Sequence, residues 1–241
     1  MITLLIIGPA GSGKSTLTKS FGQWLENEGN RVDYVNLDPG VDSLPFVPSF
    51  DVRLIVKVKD VMRKENLGPN GALVRAAEIM EERFSELIKE ISSMSSDFLL
   101  IDTPGQMEIF LFRTLGPLLT SSLSGRTVSI FLIDPSLMKK RTDFIVLKML
   151  GLIVELRLGV PSVEIVNKSD LIDERSLRVL EDFAKKDLEG LSGGLAEELH
   201  RIIEDLEKKK RTLMVSALKN TGFLDLYKAI GEAFCACGDM T

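Results

Sequence analysis

The sequence predicts an α/β fold in which helices cover both faces of a mostly parallel central sheet. Short apolar runs alternate with helical patterns along the chain, and this alternation is typical of a parallel sheet. The chain has 241 residues, of which 44% are hydrophobic and 27% charged, so it is long enough to bury a sizeable core. The apolar runs predict strands at Ile2–Ile7, Val32–Asn36, Phe98–Ile101, Val128–Ile133, Ser162–Val166 and Thr212–Val215.

Helical patterns fill the intervals between these runs. In the first interval Leu17, Phe21 and Leu25 recur on one helical face, and Gly29 marks the end of the helix. We predict helices over 14–28, 71–91 and 143–158, and two further helical stretches within 174–211. We therefore expect a single domain over residues 1–241, with helical insertions at about 71–96 and 174–211.

The loop after the first predicted strand is a phosphate-binding motif. Residues 8–15 read Gly-Pro-Ala-Gly-Ser-Gly-Lys-Ser, which is G-x-x-x-x-G-K-[ST] between a buried strand and a helix. Its glycines let backbone N–H groups surround an anion, Lys14 reaches the β- and γ-phosphates, and the Ser15 hydroxyl joins the shell of a Mg²⁺ ion. We therefore predict a P-loop NTPase three-layer sandwich whose nucleotide contacts include Gly11, Ser12, Gly13, Lys14, Ser15 and Thr16.

Two acidic residues follow predicted strands and are expected near the γ-phosphate. Asp102 opens the run Asp-Thr-Pro-Gly-Gln, where the carboxylate would hold Mg²⁺ through water and the Gly105 backbone would approach the γ-phosphate. Asp38 lies in Asn-Leu-Asp-Pro-Gly after the second strand, where it would hold metal-bound water or orient the attacking water. For Asp38 a simple Asp-Pro-Gly turn remains the alternative interpretation. The predicted metal set is Ser15, Asp38 and Asp102.

Two later segments indicate the base. Asn167-Lys168-Ser169-Asp170 follows the strand at 162–166 and is similar to the guanine-reading motif of GTPases. In that motif the Asp carboxylate accepts hydrogen bonds from guanine N1–H and the 2-amino group, the Lys stem packs on the base, and the Asn ties the loop to the phosphate loop. Ser216-Ala217-Leu218 follows the last strand, where GTPases offer a backbone N–H to guanine O6. We therefore predict GTP as substrate and GDP as product, with base contacts from Asn167, Lys168, Asp170, Ser216, Ala217 and Leu218.

With these motifs in order, the chain resembles the GPN-loop GTPases, a branch of the dimeric P-loop class, over nearly its whole length. The resemblance depends on the phosphate loop, on Asp38-Pro39, on Asp102–Gln106 with Glu108, on Asn167–Asp170, and above all on Gly68-Pro69-Asn70. One departure is Gly40, where the family often has alanine. From residue types alone, Gly68-Pro69-Asn70 also fits a turn with Asn70 near a helix N-cap.

The resemblance implies a homodimer in which the GPN loop, at about residues 66–71, acts in trans. Asn70 of one subunit would contribute polar groups near the γ-phosphate of the other, where Asp38, Gln106 and Glu108 are candidates to orient or deprotonate the attacking water and Lys14 stabilises charge. The second loop position, where many dimeric P-loop ATPases carry an additional lysine, is Pro9. Arg113 is left open as an arginine finger from the same chain.

Composition restricts the partners. A net charge of −5 and a pI near 5.2 predict no general attraction to nucleic acid or to an anionic membrane. The first apolar run lacks a basic leader and passes directly into the phosphate loop, so it does not resemble a secretion signal, and we expect a cytoplasmic protein. The resemblance implies an unidentified protein client whose assembly the GTPase cycle serves. Two alternatives remain open: a slow GTP-dependent binding switch, and a metallochaperone-type GTPase. The second has thin support, since the only histidine and cysteines are His200, Cys235 and Cys237.

Overall fold

The fold is built on a seven-stranded parallel sheet. The computed structural model describes residues 1–184 and 212–235, together with residues 194, 198, 201, 202 and 205. The strands are β1 (Ile2–Ile7), β2 (Val32–Asn36), β3 (Phe50–Asp51), β4 (Phe98–Asp102), β5 (Arg126–Ile133), β6 (Ser162–Val166) and β7 (Leu213–Met214). Their order is β3-β2-β4-β1-β5-β6-β7, and every pair is parallel. The predicted α/β fold with its parallel sheet is confirmed.

Eight α-helices with both ends in the described part of the chain lie between these strands, and a ninth follows β7. They are α1 (Lys14–Asn27), α2 (Val58–Glu65), α3 (Pro69–Glu82), α4 (Phe84–Ser92), α5 (Met107–Phe112), α6 (Leu115–Ser122), α7 (Arg141–Leu158), α8 (Glu174–Ala184) and α9 (Phe223–Cys235). The single helix predicted over 71–91 is two helices, since the backbone leaves the helical region at Arg83. Of the predicted 174–211 insertion, α8 is present. The second predicted stretch lies mainly outside the described residues. His200 and Cys237 also lie outside them, and Cys235 is the last residue of α9.

Two hydrophobic clusters lie on opposite faces of the sheet. Each cluster is enclosed between the sheet and the helices that cover that face, which gives three layers. Along β1, Leu5 and Ile7 point into the cluster that packs against α3, α5, α6 and α7. Leu4 and Ile6 point into the other cluster, which α1 and α9 cover. Successive side chains of a strand face opposite sides, so a strand buried on both faces needs an uninterrupted apolar run. This is why the central strands β1 and β4 appear in the sequence as almost uninterrupted apolar segments.

The parallel arrangement also positions the functional loops. Because the carboxyl ends of parallel strands meet at one edge of a sheet, the loops that follow β1, β2, β4, β6 and β7 share that edge. All the motif residues singled out in the sequence lie in or next to these loops, apart from Asn70 at the start of α3. Within the part of the chain that the structure covers, no helix combines the length and apolar character needed to cross a membrane.

Candidate active site

The phosphate loop connects β1 to α1 and holds its lysine inside the loop. The Lys14 ammonium donates hydrogen bonds to the carbonyl oxygens of Gly8 and Pro9, each at 3.0 Å, and the residue is only 6% exposed. Burial lowers the pKa of Lys14, while the nearby carboxylates of Asp102 and Asp38 act in the opposite direction. A cation kept at the N-terminus of α1 beside a glycine loop is suited to bind phosphate.

A glycine at the end of this loop allows a second loop to approach. Gly13 has φ 93°, and a Cβ atom there would lie 2.6 Å from Nδ2 of Asn167. That amide nitrogen donates to the Ser12 carbonyl at 2.9 Å, and Oδ1 of Asn167 accepts from the Ala217 N–H at 3.1 Å. The buried Asn167 side chain therefore joins the phosphate loop, the loop after β6 and the loop after β7 in one unit.

The rest of the base-side loops is held by two side-chain pairs. The Ser216 hydroxyl donates to Oδ1 of Asp170, which is itself exposed. Lys168 adopts a left-handed backbone conformation with φ 57°, and its ammonium donates to Oδ2 of Asp134 at 2.7 Å. Burial raises the pKa of Asp134, but the Lys168 ammonium and the Ser136 N–H outweigh it and lower the pKa overall.

Asp134 was not anticipated from the sequence. It follows the apolar run of β5 and accepts a hydrogen bond from the Ser136 N–H at 2.9 Å, so it caps a short turn while it pairs with Lys168. An acidic residue directly after a buried strand, in the run Asp134-Pro135-Ser136, is the signal that could have found it. Its position holds the stem of Lys168 in a constant place at the base side of the site.

On the phosphate side, Asp102 is a buried carboxylate without a strong protein partner. The residue is 1% exposed, and within the described part of the chain neither carboxylate oxygen accepts a hydrogen bond of normal geometry. Burial raises the pKa of Asp102 to about 7, against the opposing influence of the Ser15 hydroxyl and the Lys14 ammonium. A buried carboxylate beside a hydroxyl and otherwise unpaired is suited to a hard divalent cation such as Mg²⁺.

Asp38 links the loop after β2 to the loop after β4. Its Oδ2 accepts from the Gly105 N–H at 2.9 Å, and its Oδ1 accepts from the Gly40 N–H at 2.8 Å. The Gly40 contact is the Asp-Pro-Gly turn that the sequence left as an alternative. The same carboxylate also joins the Gly105 backbone, which is the segment predicted to approach the γ-phosphate.

Asn70 and Gln106 meet at the rim of this region. Gly68, Pro69 and Asn70 are all exposed at the start of α3, where Gly68 is the N-cap residue and makes no side-chain cap. Oδ1 of Asn70 accepts a hydrogen bond from Nε2 of Gln106 at 3.4 Å. Glu108 is exposed in the first turn of α5. The loop thus contacts the segment after Gly105 within a single chain.

Arg113 has a different environment from that of a catalytic arginine. Its guanidinium donates to both carboxylate oxygens of Glu81 on α3, at 2.9 and 3.3 Å, and it lies 3.6 Å from Glu78. Glu81 also accepts from the Thr114 N–H at 3.1 Å. These contacts attach the segment after α5 to α3, which is a structural task.

The buried Asp102 makes the stability of the metal-free protein depend on pH. Its folded pKa of about 7 lies above the unfolded value of about 3.9, so the folded state holds the proton more tightly and stability is lost as pH rises through this window. Asp102→Asn lacks this titration. In EDTA, we expect the melting temperature of the variant relative to the parent to rise by about 3 °C or more between about pH 5 and pH 8.

Thermal unfolding of both proteins across this pH range measures the difference directly. Asn30→Ala, which removes no titratable group, is the control and keeps a constant offset from the parent. A constant offset for Asp102→Asn as well would contradict the raised pKa.

Fold and site together define a P-loop nucleoside triphosphatase. The chain has the glycine loop with its buried lysine, an acidic strand end beside it, and a second pair of loops tied to it by Asn167. A family described as "Conserved hypothetical ATP binding protein" matches residues 6–236. That description refers to ATP, whereas the two relatives described next are named GPN-loop GTPases.

Two relatives and one solved structure identify the family more closely. The GPN-loop GTPase PAB0955 of Pyrococcus abyssi is 39% identical over 99% of both chains. GPN-loop GTPase 1 of Dictyostelium discoideum is 28% identical over 96% of this chain and 61% of its own length. The crystal structure of PAB0955, described as a GTPase in apo form, has a TM-score of 0.88 and 35% identity, covering 98% of both chains. The chain belongs to the GPN-loop GTPases, and it is a GTPase.

Proposed function

We propose that this GTPase works as a homodimer in which Asn70 of each subunit completes the phosphate side of the other subunit's site. The observation that carries the proposal is the place of Gly68, Pro69 and Asn70: they are exposed, and Asn70 lies against Gln106 at the rim of the site. An exposed polar loop at this rim is within reach of a second copy that docks there.

Within each site, we assign the binding of phosphate, the binding of Mg²⁺ and the orientation of water to different residues. Lys14 binds the β- and γ-phosphates and stabilises the charge that develops on them during in-line attack by water. Ser15 and Asp102 would hold Mg²⁺, with Asp38 close to its shell, and the ion would neutralise phosphate charge. Asp38, Gln106 and Glu108 orient or deprotonate the water, since they surround the Gly105 segment or follow it.

A missing positive charge is the reason to expect help from a partner. The second position of the phosphate loop is Pro9, and Arg113 is engaged by Glu81. Of the three positions considered, only Lys14 therefore offers a positive charge to the transferring phosphoryl group, together with the metal ion. Polar groups from a partner's Asn70 would add hydrogen-bond donors where the negative charge grows.

Mixing two inactive variants tests the trans arrangement. Lys14→Ala removes phosphate binding, and Asn70→Ala is expected to lower kcat by about 10- to 100-fold. In a mixed dimer, the intact phosphate loop of the Asn70→Ala subunit receives Asn70 from the Lys14→Ala subunit. We expect a 1:1 mixture to recover about a quarter of parent turnover, since random pairing makes half the dimers mixed, each with one competent site of two.

The double variant Lys14→Ala/Asn70→Ala is the matched control, because it pairs with Asn70→Ala but supplies no asparagine. That mixture is expected to stay at about half the turnover of Asn70→Ala alone, since half of its sites lack Lys14. Recovery with Lys14→Ala but not with the double variant supports the trans role. If neither mixture recovers while native mass spectrometry, with one variant isotopically labelled, shows mixed dimers with a non-hydrolysable GTP analogue, Asn70 acts within its own subunit.

We further propose that the GTPase cycle serves the assembly of a protein client in the cytoplasm. Exposed apolar side chains support protein contacts: Phe112 on α5 is 56% exposed and Leu156 on α7 is 73% exposed. Capture of binding proteins with the GTP-analogue form and with the GDP form tests the client role. A client retained equally by both forms would argue against a cycle driven by hydrolysis.

A further inference from the structure

Asn36, at the end of β2, is a fully buried polar residue that the proposed catalytic set does not include. Both ends of its amide serve the backbone of one residue. Oδ1 accepts from the Asp38 N–H at 3.0 Å, and Nδ2 donates to the Asp38 carbonyl at 3.2 Å. The side chain therefore determines the course of the backbone on both sides of the Asp38 Cα atom.

Asn36 is itself held by Asp51 on the neighbouring strand. The two residues are register partners in the β2–β3 pair, and Nδ2 of Asn36 donates to Oδ1 of Asp51 at 2.9 Å. β3 is only two residues long. Its backbone pairing brings a carboxylate to the buried amide.

Arg53 closes the network from the other side. Its Nε donates to both oxygens of Asp51 at 3.0 Å and its Nη2 to Oδ2 at 2.6 Å, while Nη1 donates to the carbonyls of Val41 and Asp42 at 3.3 and 3.1 Å. The guanidinium thus spans from the strand that precedes α2 to the chain that leaves Asp38. A planar fork with several fixed donors is suited to this double contact, whereas a single ammonium is not.

Together these contacts brace the segment 36–42 at both ends, with Asp38 between them. The Val58 N–H adds a hydrogen bond to the Pro39 carbonyl at 3.0 Å. Between these two ends the Asp38 side chain projects from the segment, and its Oδ2 accepts a hydrogen bond from the Gly105 N–H at 2.9 Å. A carboxylate that orients water must be held within a fraction of an ångström, since small misplacements reduce rate strongly.

We propose that Asn36, Asp51 and Arg53 form a positioning network that aims the Asp38 carboxylate at the γ-phosphate region. The inference rests on the proposed role of Asp38 in hydrolysis. The three residues act through Asp38 and touch no nucleotide. Their loss is therefore expected to reduce kcat and to leave GTP binding almost unchanged.

A double-mutant cycle on hydrolysis tests this. Asn36→Ala and Arg53→Gln are each expected to lower kcat by about 10- to 100-fold, with the Kd for a non-hydrolysable GTP analogue within about threefold of the parent. In the Asp38→Ala background, the same changes are expected to have no further effect on kcat, because the group they aim is gone. Arg53→Lys keeps the charge but not the fork, and is expected to fall between Arg53→Gln and the parent.

Asn30→Ala is the matched control, since the Asn30 side chain also donates to a backbone carbonyl, that of Leu25, but at the far end of α1. It is expected to leave kcat unchanged. Arg53→Gln keeps the test usable if Asn36→Ala does not fold, because the Arg53 side chain is 21% exposed.

The outcomes separate the two proposals. If Asp38→Ala leaves turnover intact, the proposed role of Asp38 fails. If Asp38→Ala lowers turnover but the network variants do not, or if their effects add fully to that of Asp38→Ala, the positioning inference is wrong. Non-additive losses confined to kcat support it.

Discussion

Asp170→Asn is expected to change the base preference of the enzyme from guanine to xanthine. A carboxylate accepts from guanine N1–H and from the 2-amino group, whereas an asparagine amide presents one acceptor and one donor. Xanthine carries an oxygen in place of the 2-amino group and matches that pair. Because a buried polar mismatch is costly, we expect GTP affinity to fall by about 100-fold or more and XTP to become the better ligand.

Equilibrium binding of GTP, XTP and ATP to the parent and the variant measures this change. The Ser216 hydroxyl that holds Asp170 is expected to hold the asparagine as well, so the loop keeps its course. Asp173→Asn is the matched control: Asp173 caps the Ser176 N–H at 2.7 Å, and asparagine caps equally well. Equal losses for GTP and XTP, or tight ATP binding by the parent, would contradict guanine recognition by Asp170.

Gly13→Ala is expected to disable nucleotide binding and to destabilise the protein. The residue has φ 93°, which is unfavourable for alanine, and its Cβ atom would lie 2.6 Å from Asn167 Nδ2. Asn167 must then move, and its hydrogen bonds to Ser12 and Ala217 are lost. We expect a loss of about 2–4 kcal/mol in the free energy of unfolding and a fall in GTP affinity.

Gly29→Ala separates the two causes. Gly29 has φ 87°, in the same region, but a Cβ atom there meets nothing within 4 Å, and it lies at the opposite end of α1 from the phosphate loop. That variant is expected to cost about 1–2 kcal/mol and to hydrolyse GTP at the parent rate. Chemical denaturation and hydrolysis assays on both proteins give the comparison. Equal behaviour of the two variants would show that the close approach to Asn167 is unimportant.

Most of the fold followed from local patterns in the sequence. Central strands buried on both faces need nearly continuous apolar runs, and six of the seven strands were predicted from short runs rich in apolar residues. The glycine loop predicted the start of α1. The two-residue strand β3 was missed because its stability comes from pairing with β2 and from the buried amide of Asn36. The helices α2, α5 and α6 were missed because they are short, and α5 reads Met-Glu-Ile-Phe-Leu-Phe with little polar face. The 13-residue α9 was not predicted either.

The candidate site was predictable where one segment contains the whole motif. Residues 8–15 and 167–170 are such segments, because phosphate and base each contact consecutive residues. Contacts between distant segments were not predictable in this way. The pairing of Lys168 with Asp134, and the reach of Arg53 from Asp51 to the Val41 carbonyl, depend on loops brought together by the sheet order.

The order of the strands places the residues proposed to contact the phosphates and those proposed to contact the base on opposite sides of β1. β1 and its loop stand in the middle of the sheet, with the Asp38 and Asp102 strands on one side and the strands that lead to Asn167 and Ser216 on the other. In the roles proposed above, the residues of one half would contact the phosphates and those of the other half the base. Cleavage of the terminal phosphate would then remove contacts from the first half alone. We therefore expect release of GDP to be a second event, separate from hydrolysis.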